Sequence, residues 1–344
     1  RQIDFSDGKE GNDVTITGDN TKPAATESLN AAEENADKNT SEVEKPTEAE
    51  KSGETKTEGE GKTPNSAAEG EDDEPTSQEL LAPEDEQKKT EEKDGYNGVQ
   101  LLDDTVRPNF WRAPTNNDEG CAEPFEFAFW KTAGLYARCD NLTAETKGEF
   151  VTVRAVYTLP DGQTRPIDFA IDGAGRCDIT MTWQGEHTEL PEFGLLFPLR
   201  RELTEVSYLG LGPRETTADR TAGGKMGAWN YNVRQDFAQN SPVYPQDCGS
   251  RTGVYSATVT GSIPGICFAG NGMTFSALPY TPHELENARH LYELPRDDNK
   301  TVVRCAAFQR GVGGDNSWGA KPHENVCFTA EKGMQFCFTL SRLI

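Results

Sequence analysis

The sequence predicts an all-β protein built on one large antiparallel domain, and three observations indicate this class. Apolar and polar residues alternate over many short runs, as in Val151-Thr152-Val153-Arg154-Ala155. Glycine and proline separate nearly all of these runs. Helical patterns are confined to two short stretches. Many short strands joined by frequent turns are typical of an antiparallel sandwich.

The N-terminal part of the chain begins with a strand-like run, Asp13–Gly18, and continues into an acidic segment, residues 21–94. This segment contains 23 Asp and Glu against 9 Lys, a net charge of −14, and no aromatic residue. It cannot bury enough apolar surface to offset its conformational entropy, so we expect it to be disordered. The sequence therefore divides into an N-terminal strand region (1–20), a disordered acidic insert (21–95) and a folded body (96–344).

Period-two alternation predicts three consecutive strands after residue 150. They contain Val151–Leu159, Ile167–Ile171 and Cys177–Trp183, with turns at Asp161-Gly162 and at 172–175. Seven further strand candidates follow: Phe193–Leu203, Val254–Thr260, Ile266–Ala269, Thr274–Leu278, Val302–Phe308, Val326–Thr329 and Met334–Leu340.

Two segments carry helix signals. Pro124–Ala133 has proline at its first position and Gly134 as a C-cap. Thr281–Ala288 begins with an N-cap threonine and has Glu284 at its third helical position. We expect one short helix in each.

Composition excludes several classes of partner. The net charge is −24 and no basic stripe is present, which excludes nucleic acid, and no apolar run is long enough for a membrane span. The chain shows no signal-peptide pattern, so we expect a cytoplasmic location. It begins at Arg1 and not Met, which predicts a piece of a longer polypeptide whose upstream part could carry a signal.

The eight cysteines include no Cys-x-x-Cys pair, and several lie in alternating apolar runs, as in Phe336-Cys337-Phe338. We interpret them as reduced, buried thiols. The four histidines (His187, His283, His290 and His323) show no metal-ligand spacing, so we expect no metal or other cofactor bound by this chain.

One aromatic ring stands out as a candidate for ligand binding. Trp318 lies in the polar, glycine-rich run Gly311–Gly319, which follows a predicted strand. Such a loop offers little apolar packing, so the ring is suited to lie flat against a sugar, with neighbouring polar groups on the hydroxyls. Asp315, Asn316 and Ser317 are the candidate polar neighbours. The alternative is a tryptophan that fills the end of the sandwich.

Two other polar loops are candidates to line the pocket or support its loops. In the extended, proline-containing run Arg107–Gly120 the candidates are Arg112, Asn117 and Asp118, and in Tyr244–Arg251 they are Gln246, Asp247 and Arg251. The alternative for the first is a rigid structural loop with Phe110 and Trp111 in the core and Arg112 paired to a carboxylate. For the second it is an Asp–Arg clamp.

Two glycine-containing segments raise questions about backbone conformation. The glycines of Tyr208–Arg220 suggest a close, positive-φ approach between backbones. Gly134 stands before the polar run 137–141 and is a candidate hinge for a loop bordering the pocket, against the alternative of a plain helix C-cap.

The search for catalytic groups within the chain gives none. A glycosidase needs two carboxylates across one scissile bond, and no Asp or Glu stands in a context that marks such a pair. A serine nucleophile elbow and a Cys/His pair are also not recognisable.

Six strings of the body resemble the C-terminal domain of the glycoside hydrolase family 2 β-galactosidases, in the order in which that family carries them. They are Arg107–Gly120, Tyr208–Arg220, Tyr244–Arg251, Phe275–Thr281, Glu284–His290 and Gln309–Gly319. The resemblance implies a large supersandwich related to galactose mutarotases, with Trp318 as a wall of the sugar pocket. It also implies that the two catalytic glutamates, and the Mg and Na ions of the family, lie in a (β/α) barrel that this chain lacks.

The expected function is therefore that of the C-terminal domain or small subunit of a β-galactosidase acting on terminal β-D-galactosides of the lactose type. The expected partners are the galactoside and the barrel-containing remainder or large subunit, in an enzyme that is a homo-oligomer. The sequence departs from the family pattern in three places. The family's second strand, expected before Tyr96, is not recognisable. Glu215-Thr216-Thr217 stands where the family often has Glu-Asn-Tyr, and Ala306 where it often has Asp.

Two rival functions stay open at this stage. One is a stand-alone carbohydrate-binding module. The other is a mutarotase-like aldose epimerase, which would require a histidine and a carboxylate that converge on the concave face, with His187, His283 and His290 as the sources.

Overall fold

The computed structural model describes residues 99–316 and 318–343. The predicted strand region at 1–20 and the acidic insert at 21–95 lie outside these residues. Fourteen strands lie in the described part: β1 (Arg107–Asn109), β2 (Arg138–Lys147), β3 (Phe150–Thr158), β4 (Thr164–Asp172), β5 (Cys177–Thr182), β6 (Thr188–Leu190), β7 (Glu192–Arg200), β8 (Leu203–Gly212), β9 (Lys225–Asn232), β10 (Arg251–Gly261), β11 (Ile266–Leu278), β12 (Lys300–Gln309), β13 (Phe328–Ala330) and β14 (Gln335–Arg342).

Twelve of these strands form one antiparallel sheet. Its main path runs β1-β7-β12-β11-β14-β5-β4-β3-β2, and β10, β8 and β9 extend it from β11. β11 is the branch point because its C-terminal half pairs with β12 and its N-terminal half with β14. β6 and β13 form a separate two-stranded sheet. The predicted all-β class with a large antiparallel sheet is confirmed.

Five short α-helices lie among the described residues: α1 (Asn116–Gly120), α2 (Glu123–Glu126), α3 (Ala128–Ala133), α4 (Val233–Asn240) and α5 (Pro282–Asn287). None of them is long and apolar enough to cross a membrane. α5 has the predicted capping box between Thr281 and Glu284. The other predicted helix is interrupted at Phe127, which separates α2 from α3.

An aromatic cluster fixes α3 on the sheet. Trp130 of α3 lies 5.7 Å from Trp183 and 5.5 Å from Phe110, measured between ring centroids. Trp183 in turn meets Phe193 edge-on at 5.9 Å, and the guanidinium of Arg165 lies 3.8 Å above the Trp183 ring. Edge-to-face and cation–π contacts of this kind add to the stabilisation that burial provides.

Several local predictions are wrong. The run Arg107–Gly120 is not a continuous loop, because its ends form β1 and α1. Thr115 and Asp118 make a capping box that begins α1, a pattern that is readable in the sequence. The polar run after Gly134 belongs from Arg138 onward to β2, an edge strand exposed on all ten residues.

The cysteines only partly match the prediction of buried thiols. All eight are free, and Cys121, Cys248 and Cys305 are buried. Cys337 is exposed although Phe336 and Phe338 beside it are buried. The reason is that successive residues of a strand face opposite sides of the sheet. Because Phe336 and Phe338 face the core, Cys337 between them faces the other side.

Gly210 and Gly212 of Tyr208–Arg220 do not have positive φ, contrary to the prediction, and the Gly212–Pro213 peptide bond is cis. Gly210 and Gly212 both lie in β8. Val254 occupies the space that a side chain at position 210 would need, and Tyr208 and Trp229 occupy that space at position 212. Close packing therefore explains both glycines.

Candidate functional site

Trp318 lies on the surface with 93% of its area exposed. Its backbone N–H donates to the side-chain oxygen of Asn316 at 2.8 Å. The alternative in which this tryptophan fills the end of the sandwich is therefore wrong for the described chain. An indole this exposed is available to a ligand or to another protein surface.

The loop that carries Trp318 is fixed at its N-terminal end by Asp219. One carboxylate oxygen of Asp219 accepts hydrogen bonds from the backbone N–H of Val312 (3.1 Å) and of Gly313 (2.6 Å). The other oxygen accepts from the hydroxyl of Thr217 at 2.7 Å. The backbone of the loop is therefore held although its tryptophan ring is not packed.

A second set of contacts fixes the other end of the loop on α1 and α2. Gly319 has a φ of +97° and lies so close to the Gly120 carbonyl that an added Cβ would be 2.8 Å from its oxygen. Two residues further on, the ammonium of Lys321 pairs with the carboxylate of Glu126 at 2.6 Å. Position 319 therefore favours glycine on two grounds, its backbone conformation and its packing.

The other predicted neighbours of Trp318 have different environments. Asp315 is exposed and pairs with His323 at 2.7 Å, and hydrogen bonding to Asp315 raises the pKa of His323. Ser317 lies outside the described residues. Asp315 and Asn316 thus lie within three residues of Trp318 in the sequence, and the side chain of Asn316 is bonded to the Trp318 backbone.

Arg112 and Asp118 form a buried, two-pronged ion pair with N–O distances of 2.5 and 2.8 Å. Burial opposes ionisation of Asp118, but Arg112 outweighs it and holds the pKa of the carboxyl below its usual value. Arg112 also donates to the Gly311 carbonyl at 3.3 Å, so this pair supports the base of the Trp318 loop. Phe110 and Trp111 are buried as well, so the core packing and the ion pair of the structural alternative are present, although the segment is not a loop throughout.

Glu123 and Arg310 form a second buried ion pair beside the first. Burial, followed by the neighbouring charge of Asp118, raises the pKa of Glu123 to about 7. Neither residue was singled out from the sequence. The only available signal is that Arg310 directly precedes the Trp318 loop.

A third buried network surrounds Arg304 of β12. Its guanidinium donates to Asp247 at 2.6 Å, to Glu192 at 2.9 Å and to the hydroxyl of Ser276 at 3.0 Å. Gln309 also donates to Asp247, at 2.7 Å. Asp247 therefore holds its own loop against the sheet, and its partner is Arg304, a residue of a predicted strand that sequence reasoning did not select.

Arg251 is buried and pairs with Asp236 of α4 at 3.2 Å, while its guanidinium lies 5.0 Å from the centre of the Tyr231 ring. An acid–arginine clamp thus exists here, but the acid comes from α4 and not from the same loop. Both residues line an open cleft of about 960 Å³ next to Glu215 and Arg220. Trp318 does not line this cleft.

Gln246 and Asn117 lie closer to the surface. The side-chain oxygen of Gln246 accepts from the backbone N–H of Asn116 at 3.2 Å, which joins its loop to the first residue of α1. Asn117 is exposed, and its backbone carbonyl accepts from Cys121. Gln246 therefore supports the α1 segment, whereas the Asn117 side chain faces solvent.

Gly134 caps α3 at its C-terminus with ordinary right-handed backbone angles, φ −74° and ψ −36°. An added Cβ would overlap the carbonyl oxygen of Pro108 in β1. The position therefore has a packing reason for glycine in addition to the C-cap. A hinge at Gly134 stays a prediction.

The buried carboxylates of the described residues offer no free acid pair. All four buried carboxylates (Asp118, Glu123, Glu192 and Asp247) are bonded to arginines. The three histidines considered for an epimerase each have a different partner. His187 lies beside the carboxylate of Glu331, His283 is hydrogen-bonded to the Lys131 carbonyl, and His290 is bonded to Glu293. Over residues 99–316 and 318–343, no group of three or more His, Cys, Asp or Glu side chains is arranged to hold a metal ion.

Comparison with known proteins identifies relatives of two lengths. The chain is 36% identical to a β-galactosidase of Lactobacillus delbrueckii subsp. bulgaricus over 255 residues, which cover 72% of this chain and 25% of that protein. It is 31% identical to a β-galactosidase small subunit of Latilactobacillus sakei, covering 71% of this chain and 87% of that protein. The chain thus spans about a quarter of the length of the longer relatives and most of the length of the shorter one.

Among solved structures, the chain is similar to a GalM/aldose epimerase homologue from C. elegans with a TM-score of 0.29 and 6% identity, over 58% of this chain and 67% of that one. A similarity this low carries no argument about fold or function. The sequence profile described as "Beta galactosidase small chain", by contrast, matches residues 86–340. With that match and the small-subunit relative, the chain belongs to the β-galactosidase small-chain family.

Proposed function

We propose that this chain is the small-chain part of a β-galactosidase and completes a sugar pocket whose catalytic carboxylates belong to a larger, barrel-bearing chain. The observation that carries the proposal is the exposed ring of Trp318 on a loop held by Asp219, Arg112 and Gly319. A solvent-facing indole on a loop whose backbone is held offers the flat apolar platform that the C–H face of a galactoside requires.

The division of labour follows from the carboxylates of this chain. Hydrolysis of a glycoside needs an acid and a second carboxylate on either side of the bond. The four buried carboxylates are engaged with arginines, so the proposal assigns the acid and the nucleophile to the partner chain. Trp318 then contributes binding and orientation of a terminal β-D-galactosyl group, as in lactose.

The remaining features of the assembled enzyme are also proposals. Mg and Na ions are assigned to the barrel chain. A cytoplasmic location fits eight cysteines that are all free, because reducing compartments keep thiols unpaired. We propose in addition that the complete enzyme is a homo-oligomer.

Substitution of Trp318 in the assembled enzyme tests the proposal. Trp318→Ala should raise KM for a β-galactoside by about ten- to a hundredfold, since loss of a large apolar contact costs about 1–3 kcal/mol of binding. Trp318→Phe should recover part of the loss because the flat face survives with less area. The melting temperature should hardly change, because the ring is almost fully exposed.

Phe150→Ala, at the tip of the β2–β3 hairpin, is the control and should leave KM unchanged. Unaltered affinity in Trp318→Ala, together with a large fall in melting temperature, would assign Trp318 a structural role and remove it from the site.

A further inference from the structure

Three other large apolar side chains lie exposed on segments that adjoin α1, as the loop of Trp318 does. Phe125 of α2 is 87% exposed and Val243 is 83% exposed, and Tyr244 beside Val243 is also exposed. All of them, like Trp318, stand on helix ends or loops and not on a strand. We call these four exposed side chains, Phe125, Val243, Tyr244 and Trp318, together with the segments that carry them, the Trp318 face.

Hydrogen bonds and close contacts join the segments of the Trp318 face through α1. At one end of α1, Asn116 donates to Gln246, which in turn donates to the carbonyl of Tyr244 at 3.2 Å. At the other end, Gly120 touches Gly319. Glu126, next to Phe125, pairs with Lys321. The exposed side chains therefore belong to neighbouring, mutually supported segments.

An exposed phenylalanine on a fixed segment has a cost in water that packing against another surface removes. Aromatic side chains in such positions are the usual anchors of protein interfaces. The segment that holds Phe125 is fixed by ion pairs on both sides, Glu123 with Arg310 and Glu126 with Lys321. The backbone that carries Phe125 is therefore held in place before any partner arrives.

The identity of the partner follows from the lengths of the relatives. About three quarters of the length of the longer relative lies outside the region that matches this chain. The match with the small-subunit relative, by contrast, covers 87% of that relative. Something must bring that missing part against Trp318 if the tryptophan is to meet the sugar. Phe125, Val243 and Tyr244 are exposed on the segments that adjoin the Trp318 loop through α1.

We propose that the Trp318 face is the surface by which this chain docks on the barrel-bearing large chain, and that Phe125 is its apolar anchor. The proposal rests on the proposed function for the identity of the partner. It assigns different roles to two exposed aromatics on one face: Trp318 contacts the sugar, and Phe125 contacts only the partner protein, so its loss weakens assembly and leaves the assembled site unchanged.

The test measures association of the separately produced small chain with the large chain of the same enzyme. Phe125→Ser should raise the dissociation constant by at least about tenfold, because truncation of an interface anchor weakens binding by that order. Phe125→Leu should retain most of the affinity, because an apolar side chain remains. Phe150→Ser is the matched control: it makes the same change at a hairpin tip roughly 30 Å along β2 from the α3 end, and should bind like wild type.

Activity titrations separate the two aromatics. With excess small chain, Phe125→Ser should reach wild-type kcat and KM, whereas Trp318→Ala should keep its raised KM at any concentration. Wild-type affinity in Phe125→Ser would overturn the proposal, as would a wild-type pair that does not associate. Self-association of the small chain alone, abolished by Phe125→Ser, would overturn it in favour of a second copy. A complex that forms as described but hydrolyses no β-galactoside would leave the docking surface in place and refute the proposed function.

Discussion

Glu192 is a buried carboxylate that shares Arg304 with a second carboxylate, Asp247. Burial raises the pKa of Glu192 to about 7, and the attraction of Arg304 only partly offsets this effect. A carboxyl whose folded-state pKa lies above its unfolded value stabilises the fold below the unfolded pKa. That contribution disappears as the pH rises from about 4.5 through about 7.

Glu192→Gln should therefore become more favourable relative to wild type as the pH rises. Glutamine resembles the protonated acid in shape and carries no charge, so it avoids the cost of a second buried negative charge at pH 8. We expect the difference in unfolding free energy between variant and wild type to shift by about 2–3 kcal/mol in favour of the variant between pH 5 and pH 8.

Urea unfolding of both proteins at the two pH values measures this shift. The exposed Glu331→Gln is the control and should show no comparable dependence. A difference between Glu192→Gln and wild type that stays constant with pH would contradict the raised pKa.

The residues of the site differ in how far the sequence reveals them. Trp318 could be predicted because a tryptophan among Gly, Asp and Asn has little to pack against nearby. Glu192 and Arg304 could not, because each lies within a strand whose neighbours are apolar, and their pairing joins residues 112 positions apart. Asp219 was visible in a glycine-rich string, but only the fold shows that it holds the Trp318 loop.

The loop of Trp318 behaves as an element whose position depends on Asp219. Asp219→Ala would leave the N–H groups of Val312 and Gly313 without their acceptor. We expect KM for a β-galactoside in the assembled enzyme to rise by about three- to tenfold, less than in Trp318→Ala, and the unfolding free energy to fall by about 1–2 kcal/mol.

The control is Glu145→Ala in β2, outside the Trp318 loop. The Glu145 side chain is 68% exposed and pairs with Lys147 at 3.2 Å, so both KM and stability should stay near wild type. Equal effects of the two substitutions would show that Asp219 does not position the loop.

The end of α3 is a second element whose geometry depends on one residue. In Gly134→Ala the new methyl group would overlap the Pro108 carbonyl, a backbone atom that cannot rotate away. We expect the isolated chain to lose about 1–3 kcal/mol of stability, the usual cost of overpacking. Gly173→Ala, where an added Cβ meets nothing within 4 Å, should be nearly neutral.

In the assembled enzyme, Gly134→Ala also tests whether Gly134 acts as a hinge. If Gly134 is a hinge, kcat and KM should change together, beyond the effect of lower stability. If only the melting temperature falls, its role is confined to packing and helix capping.

Strand prediction succeeded for several strands with one buried face, but it missed β8, which has a buried face as well. β4 and β5 follow the predicted alternation because Ile167, Ile179 and Met181 point into the core. β2 was missed because all ten of its residues are exposed, which leaves no apolar period to detect. The candidates Ile266–Ala269 and Thr274–Leu278 are one strand, β11, since Gly270 and Gly272 continue it where the sequence suggested a turn.

Across the described part of the molecule, buried charge is concentrated in pairs that connect distant segments. Arg112–Asp118 supports the Trp318 loop, Glu123–Arg310 joins α2 to the end of β12, and Arg304 joins β12 to Glu192 and Asp247. Breaking one buried partner leaves an uncompensated charge, which costs several kcal/mol, so such groups fix loop positions strongly. These pairs hold the base of the Trp318 loop and the segments beside it, which is what the proposed platform role of the ring requires.

The same arrangement predicts that the isolated chain does not hydrolyse a chromogenic β-galactoside. Glu123 and Glu192 have pKa values of about 7, which would suit a general acid. Each is nevertheless buried and bonded to an arginine, so neither can reach a glycosidic oxygen. Activity of the purified chain should equal the buffer blank from pH 5 to pH 8 and should appear only when the large chain is added. Turnover by the chain alone that is lost in Glu123→Gln or Glu192→Gln, with the fold retained, would show that a carboxylate of this chain is catalytic and would reverse the assignment of the catalytic pair to the partner.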